Sequence, residues 1–268
     1  NRTTRGTPRE LHRFDGGTGG FALLAEADVP LLRDLNSPDG RFELGFDPAD
    51  EVLLGQTAVF SMRSLPGEDI SCLNLYRPQR PRVLGIPSSF VERGGFSFQE
   101  LDVASGSNPW LLLNREIPGA IPAFADFNSA QWILHVGLGD DVHMKNSRGE
   151  PIVLRIVGLL KGGVFQSELL ISDAQFTRYF PGANGYSYFL VEAPHKLTRM
   201  ISEIFERTLF EYGFDITPTA ERISRYREVE NTYLATFQIL GGFGLILGTI
   251  GLGIVLWRNI LERRGELA

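Results

Sequence analysis

The chain has 268 residues, a length that suits one or two domains. It carries 26 basic and 32 acidic residues, and the net charge of −6 argues against a general nucleic-acid binder, which would show a basic surface. A single cysteine, Cys72, excludes an intrachain disulfide framework and any metal site with several cysteine ligands.

The N-terminal part predicts a linker followed by a small folded arm. Residues 1–20 are rich in Arg and Gly and predict a linker. Residues 21–27 predict a strand, 29–35 a short helix, and 57–65 a strand with alternating apolar side chains. Together these elements suggest a β-α-β arm.

The middle of the chain predicts a β-rich part over about 110–172. Gly137–Asp140 predicts a turn between strands, and Asn146–Gly149 predicts a hairpin turn. Upstream of it, 74–87 predicts a strand and a loop, in which the basic run Arg77–Arg82 either binds an anion or forms a solvated loop. The β-rich part over about 110–172 therefore lies between two regions with an α/β pattern.

A second β-α-β unit is predicted over about 186–219. A short helix ends at Pro181, and 186–193 predicts an aromatic strand. Residues 195–213 form an amphipathic helical pattern that ends at Gly213, and a last strand follows. The predicted class is α+β: a mixed α/β subdomain with an inserted β-rich subdomain, over 21–218, and then a long helix.

The region from Tyr233 to Trp257 contains 25 residues without a charge. As a helix it spans about 37 Å, which exceeds the roughly 30 Å hydrocarbon core of a lipid bilayer. Aromatic residues lie at both of its ends, as at membrane interfaces. The alternative is a buried helix of a soluble core.

The pattern around this segment predicts one long helix from about 219 to 264, with Thr219 as its N-cap. It divides into a stalk over 219–232, a transmembrane helix over 233–257 and a cytoplasmic segment over 258–268. The alternative is two helices broken near Asn231. Because the chain begins without Met, we expect it to be an excised part of a longer protein.

Four glycines of the apolar segment recur at three- and four-residue steps and therefore share one helix face. Small residues allow membrane helices to approach closely, so this face predicts packing on another membrane helix. The residues are Gly241, Gly244, Gly248 and Gly251. Since the chain has no second apolar segment of this length, the partner helix is expected from another chain or from the rest of the gene.

Motifs for catalysis or nucleotide binding are absent from the sequence. It contains no P-loop, no HExxH and no GxSxG, so neither a cofactor, a metal nor a catalytic residue is predicted. Two alternatives remain for residues of these types. His135, Asp140, Asp141 and His143 cluster in sequence as metal ligands do. Cys72 with His12 or His135 would form a nucleophile and its base. Turn chemistry and an inert cysteine are the favoured interpretations of these residues.

The C-terminal sequence resembles the permease of the FtsX/MacB type of ABC transporter. The family has an apolar, Gly-rich helix followed by Arg-Asn-x-x-x-Arg-Arg-x-Glu-Leu-Ala, and residues 258–268 read RNILERRGELA. A weaker resemblance extends upstream through VGLGDDVHMKN, RIVGLL and LLISDAQFTRYFP to the MacB-like periplasmic core domain, which combines a porter-like α/β part with a β-rich insertion. The resemblance covers about 110–268 well and 21–110 loosely.

The resemblance implies a function. Family permeases have four membrane helices, and this chain would be the outside domain with the second helix, in the bacterial inner membrane. A separate cytoplasmic ATPase would drive export or extraction of a lipid, lipoprotein, peptide or drug by motion passed through the helix. The residues implied to meet the ATPase are Asn259, Glu262, Arg263, Arg264 and Glu266.

The other implied partners are the lipid bilayer, a second copy or a related permease, and an extracytoplasmic partner protein. An alternative function within the resemblance is an FtsX-like regulator of an extracytoplasmic hydrolase. A membrane-tethered enzyme is a third class, which would require a catalytic cluster that the sequence does not show. The leading interpretation is a mechanical and binding module rather than an enzyme.

Overall fold

The computed structural model describes residues 13–67, 81–102 and 108–263, and it contains one ten-stranded mixed sheet. The strands are β1 (Leu23–Leu31), β2 (Ala58–Leu65), β3 (Arg82–Ile86), β4 (Phe98–Leu101), β5 (Ile121–Asp126), β6 (Asp141–Lys145), β7 (Pro151–Leu160), β8 (Glu168–Ser172), β9 (Tyr186–Glu192) and β10 (Phe214–Pro218). The α-helices are α1 (Pro38–Glu43), α2 (Glu51–Leu54), α3 (Ser88–Arg93), α4 (Phe127–Ser129), α5 (Asp173–Tyr179), α6 (Thr198–Thr208) and α7 (Thr219–Arg263).

Two β-α-β units interlock in the first half of the sheet, where the strand order is β10-β1-β9-β2. All neighbours in this half are antiparallel, so β1 is parallel to β2, and β9 is parallel to β10. The strand β9 therefore lies between β1 and β2, and the strand β1 lies between β9 and β10. The helix α6 connects β9 to β10, and a short 3-10 helix after it, Phe210–Tyr212, ends at Gly213, whose φ of +61° suits glycine.

The second half of the sheet continues in the order β3-β8-β5-β7-β4, with β6 also paired to β7. It mixes parallel pairs (β3 with β8, β5 with β7) and antiparallel ones. The strands β5 and β8 are buried along their whole length, as expected for the middle of a covered sheet.

The two faces of the first half carry different cores. On one face, Ile201, Ile204 and Phe205 of α6 pack on alternate residues of the strands, including Val191. The other face carries an aromatic cluster in which the rings of Phe90 and Trp110 meet edge to face at 4.7 Å. Ile223, from the first turns of α7, is 2% exposed and belongs to this aromatic core.

The α+β class and the long apolar C-terminal helix predicted from the sequence are confirmed. The hairpin turn at Asn146–Gly149 is also confirmed, between β6 and β7. The helix predicted over 29–35 is wrong: β1 runs on to Leu31, which pairs with Tyr186, and the helix begins only at Pro38. Cross-strand pairing overrides the local pattern there.

Residues 13–20, within the predicted linker, pack on the domain. The amide of Val164 donates to the Gly17 carbonyl at 3.1 Å, and the amide of Phe96 donates to the Phe14 carbonyl at 2.8 Å. A Cβ on Gly163 would lie only 2.6 Å from the Gly17 oxygen, so this close approach requires glycine. Thr18 is fully buried.

The chain divides into two compact units, residues 1–223 and 224–268. The helix α7 contributes its first residues to the first unit and forms all the described part of the second. We call the segment Thr219–Ile223 the helix base.

Candidate functional site: an apolar helix and its base

The apolar part of α7 is the candidate membrane span. Phe237–Ile260 comprises 24 residues; its 18-residue apolar window has a mean hydropathy of 2.3, and none of that window is buried. Its length of about 36 Å is sufficient to cross the hydrocarbon core of a bilayer. Large apolar side chains are exposed along it, for example Leu245 at 75% and Trp257 at 69%. Such a surface requires an apolar environment, and lipid supplies one.

The predicted glycine stripe lies on this helix. A Cβ built at Gly241, Gly244, Gly248 or Gly251 would meet no atom within 4 Å outside the neighbouring helix backbone, so no other described part of this chain packs there. The Thr249 hydroxyl donates to the Leu245 carbonyl at 2.7 Å, which satisfies it within the helix. Packing of the stripe on a partner helix stays a prediction.

The residues implied to meet an ATPase lie at the end of α7 and beyond it. Asn259 is in the described helix, and Glu262 and Arg263 are in its last turn, although their side chains lie outside the described set. Arg264 and Glu266 lie outside the described residues, as do Cys72 and His12. Contact of Asn259, Glu262, Arg263, Arg264 and Glu266 with an ATPase stays a prediction.

The helix base is anchored in the domain. Thr219 is fully buried, and its hydroxyl donates to the Phe21 carbonyl at 2.5 Å, with the Ala22 carbonyl at 3.2 Å. Its amide also donates to the Ala22 carbonyl at 3.1 Å. Thr219, predicted as the N-cap, is the first residue of the helix, and its hydroxyl donates to the segment before β1.

Four charged side chains connect the helix base to three strands, and we call them the ionic chain. Arg222 in the base donates to Oε1 of Glu26 in β1 at 2.6 Å. Arg82 in β3 donates to the other oxygen of Glu26 at 2.9 Å, and its Nη1 lies 4.0 Å from Oε1 of Glu168 in β8. The chain therefore runs in the order Arg222, Glu26, Arg82, Glu168.

The last residue of the ionic chain is the most buried. Glu168 is 8% exposed, and within the described residues its Oε2 has no hydrogen-bond partner. Burial raises the pKa of Glu168 to about 8, while the Arg82 charge opposes this shift and the Glu26 charge adds to it. The Arg82 guanidinium also lies over the Tyr188 ring, 5.2 Å from its centre, and burial raises the pKa of that phenol.

Other residues singled out in the sequence have structural partners. Asp140 accepts from the Gly137 amide at 2.7 Å and so closes the turn there. Asp141 pairs with Arg155 through two hydrogen bonds, and this pairing lowers the pKa of the Asp141 carboxyl. Within the described ranges, no three His, Cys, Asp or Glu side chains meet as metal ligands would.

The ionic chain was missed by sequence reasoning. Arg82 was assigned to a basic run that would face solvent or an anion, whereas it begins β3 and is only 25% exposed. A signal was present, because Glu26 and Glu168 each interrupt an apolar strand pattern. A charge in a predicted buried strand requires a partner, but the sequence does not tell which one.

Comparison with solved structures finds 16 similar chains, two of which are described here. No family model and no curated protein matches the chain. It is similar to the periplasmic region of MacB from Actinobacillus actinomycetemcomitans, with 10% identity, a TM-score of 0.41, and coverage of 84% of this chain and 99% of that one. It is also similar to the extracellular domain of the noncanonic ABC-type transporter YknZ from Gram-positive bacteria, with 18% identity, a TM-score of 0.32, and coverage of 73% and 99%.

At TM-scores this low, neither likeness assigns a role to any residue of this chain.

Proposed function

We propose that this chain is the extracytoplasmic domain and one membrane helix of a permease subunit in an FtsX/MacB-type ABC transporter. The observation that carries the proposal is the helix α7, which combines a buried base with an exposed apolar span of 24 residues. The RNILERRGELA motif directly after that span supports the assignment. In this role the chain is a mechanical and binding module rather than an enzyme.

The proposal places the apolar span in the bacterial cytoplasmic membrane. Residues 21–218 form the domain on the outer side, 219–232 the stalk, and 258–268 the cytoplasmic segment. About 230 residues then lie outside and only the last few inside. The predicted span 233–257 and the described span Phe237–Ile260 overlap over most of their length.

The motion would be driven by a separate ATPase, as the family resemblance of residues 258–268 implies. Its contact would be the segment from Asn259 to Glu266, whose charges suit a polar interface. An axial displacement of α7 would reach the domain at the helix base, where Thr219 and Ile223 are held by hydrogen bonds and by the aromatic core. The substrate, a lipid, lipoprotein, peptide or drug, would then be moved by the outer domain.

The glycine stripe would face a second permease copy or a related permease in the same membrane. Close backbone approach is the physical reason for glycine at these positions, since glycine is otherwise a poor helix former.

Topology labelling tests the proposal. In the full-length protein with Cys72→Ser, Arg199→Cys places a thiol at a position whose side chain is 91% exposed, and Ala268→Cys places one at the end of the motif. A membrane-impermeant maleimide applied to spheroplasts should label position 199 at once and position 268 only after permeabilisation. The reverse pattern, or equal labelling of both positions in intact spheroplasts, would contradict the proposal.

A further inference from the structure

The ionic chain ends in a carboxyl group that is almost completely removed from water. Glu168 begins the buried strand β8, and its residue neighbour across the parallel pair is Arg82. The separation between Arg82 Nη1 and Glu168 Oε1 is 4.0 Å, whereas the same nitrogen lies 2.9 Å from Glu26. Neighbouring side chains of the ionic chain are therefore hydrogen-bonded, except for the last pair, Arg82 and Glu168.

The charged groups that act on Glu168 are Glu26 from β1, Arg82 from β3 and Arg222 from the helix base, and the buried phenol of Tyr188 comes from β9. On the other side of β8, the paired strand β5 ends in a second buried carboxyl, Asp126. Within the described residues, the two cations and Glu26 together carry one net positive charge. An ionised Glu168 would balance that charge but would lose most of its hydration, and a protonated Glu168 avoids this cost.

We propose that Glu168 is a proton-controlled positioning residue, whose protonation decides whether Arg82 is held by Glu26 alone or shared with β8. With the proton bound, Arg82 stays on Glu26, and the helix base is tied to β1 and β3. When the proton leaves, the Glu168 carboxylate attracts Arg82, and the last contact of the ionic chain, between Arg82 and Glu168, forms. The helix base is then joined to β8 as well as to β1 and β3.

Reciprocity makes this coupling measurable. If the proton on Glu168 alters how Arg222 is held, then removing Arg222 must alter the proton affinity of Glu168 by the same factor. Arg82→Gln should raise the midpoint most, with the proton bound about tenfold more tightly or more. Arg222→Gln should raise it less, because Arg222 acts through Glu26 and Arg82. Glu26→Gln should lower it by removing a like charge.

The midpoint is read from the infrared carbonyl-stretch band of the protonated carboxyl, in the full chain in detergent, over about pH 5.5 to 10. The wild-type band should disappear near pH 8, and it should be absent from Glu168→Gln. Asp126 is also buried with a raised pKa, and comparison with Glu168→Gln separates the two carboxyls. Arg199→Gln is the matched control, because Arg199 is 91% exposed and pairs with Glu203.

The measurement involves no ATPase and no transport. The proposed role of Glu168 can therefore be wrong while the proposed function is right, and the proposed function can be wrong while the role of Glu168 is right. A band that depends on Glu168 and moves with Arg222→Gln but not with Arg199→Gln supports the proposal. If Glu168→Gln does not fold, the shift caused by Arg82→Gln identifies the band. Absence of any such band above about pH 6, or equal midpoints in Arg222→Gln and Arg199→Gln, would overturn it.

Discussion

Replacing Thr219 by Val tests the anchoring of the helix base. The substitution keeps the branched shape of the side chain and removes the hydroxyl that donates to the Phe21 carbonyl at 2.5 Å. Thr219 is fully buried, so water cannot replace the lost donor. A buried acceptor that loses its donor costs about 1–3 kcal/mol.

The expected result is a lower free energy of unfolding for the first unit. For a domain of this size, a loss near 2 kcal/mol corresponds to a decrease in melting temperature of about 4–8 °C. Thr219→Ser should keep most of the stability, because serine retains the hydroxyl.

The assay is thermal unfolding of the full chain in detergent, followed by the tryptophan fluorescence to which the buried residue Trp110 contributes. Thr249→Val is the matched control: its hydroxyl donates to the Leu245 carbonyl at 2.7 Å, and that carbonyl also accepts the intrahelical bond. Control and wild type should therefore melt together. A Thr219→Val melting temperature within about 1 °C of both would show that the hydroxyl does not anchor the helix.

Three further predictions concern the apolar helix and Glu168. Gly248→Leu in the full-length permease should impair assembly or ATPase-coupled function by overpacking worth about 1–3 kcal/mol, although helix propensity alone would favour it by roughly 0.5–1 kcal/mol. Leu252→Ile should be mild, and normal complex formation in Gly248→Leu would mean that the stripe faces lipid. Truncation before about Asn231 should give a domain that stays soluble without detergent, as ultracentrifugation would show, while the full chain requires detergent. Glu168 has a pKa of about 8 in the folded chain against 4.5 in the unfolded chain, so the stability that its carboxyl contributes falls by about 1.4 kcal/mol per pH unit between these two values and is lost once the pH has risen through 8. In urea titrations, Glu168→Gln should lose less stability than wild type between pH 5.5 and 8.5.

Local patterns were sufficient for the most regular elements. The uncharged run near the C-terminus determines a long apolar helix, because only an intrahelical ladder satisfies its backbone without water. The alternation in β2 and the periodicity of α6 likewise follow from which side chains must be buried. The turn at Asn146–Gly149 follows from the backbone conformations that asparagine and glycine tolerate.

Elements that depend on distant partners could not be predicted in the same way. The local pattern of residues 29–35 predicts a short helix, and only the pairing of Leu31 with Tyr186 in β9 makes the end of β1 a strand. Thr219 has the residue type and position of an N-cap, but the carbonyls that its hydroxyl meets belong to Phe21 and Ala22, about two hundred residues earlier. The residues next to Thr219 in the sequence do not indicate which distant carbonyls its hydroxyl will contact.

The ionic chain shows the same division most clearly. The sequence determined that Glu26 and Glu168 are charges within apolar strands, and that Arg222 lies at the start of a long helix. Only the tertiary structure decided that these side chains meet, because the order of strands in a mixed sheet depends on long-range pairing and not on local propensity. Burial in that sheet then removes Glu168 from water and raises its pKa, a property that no sequence pattern contains.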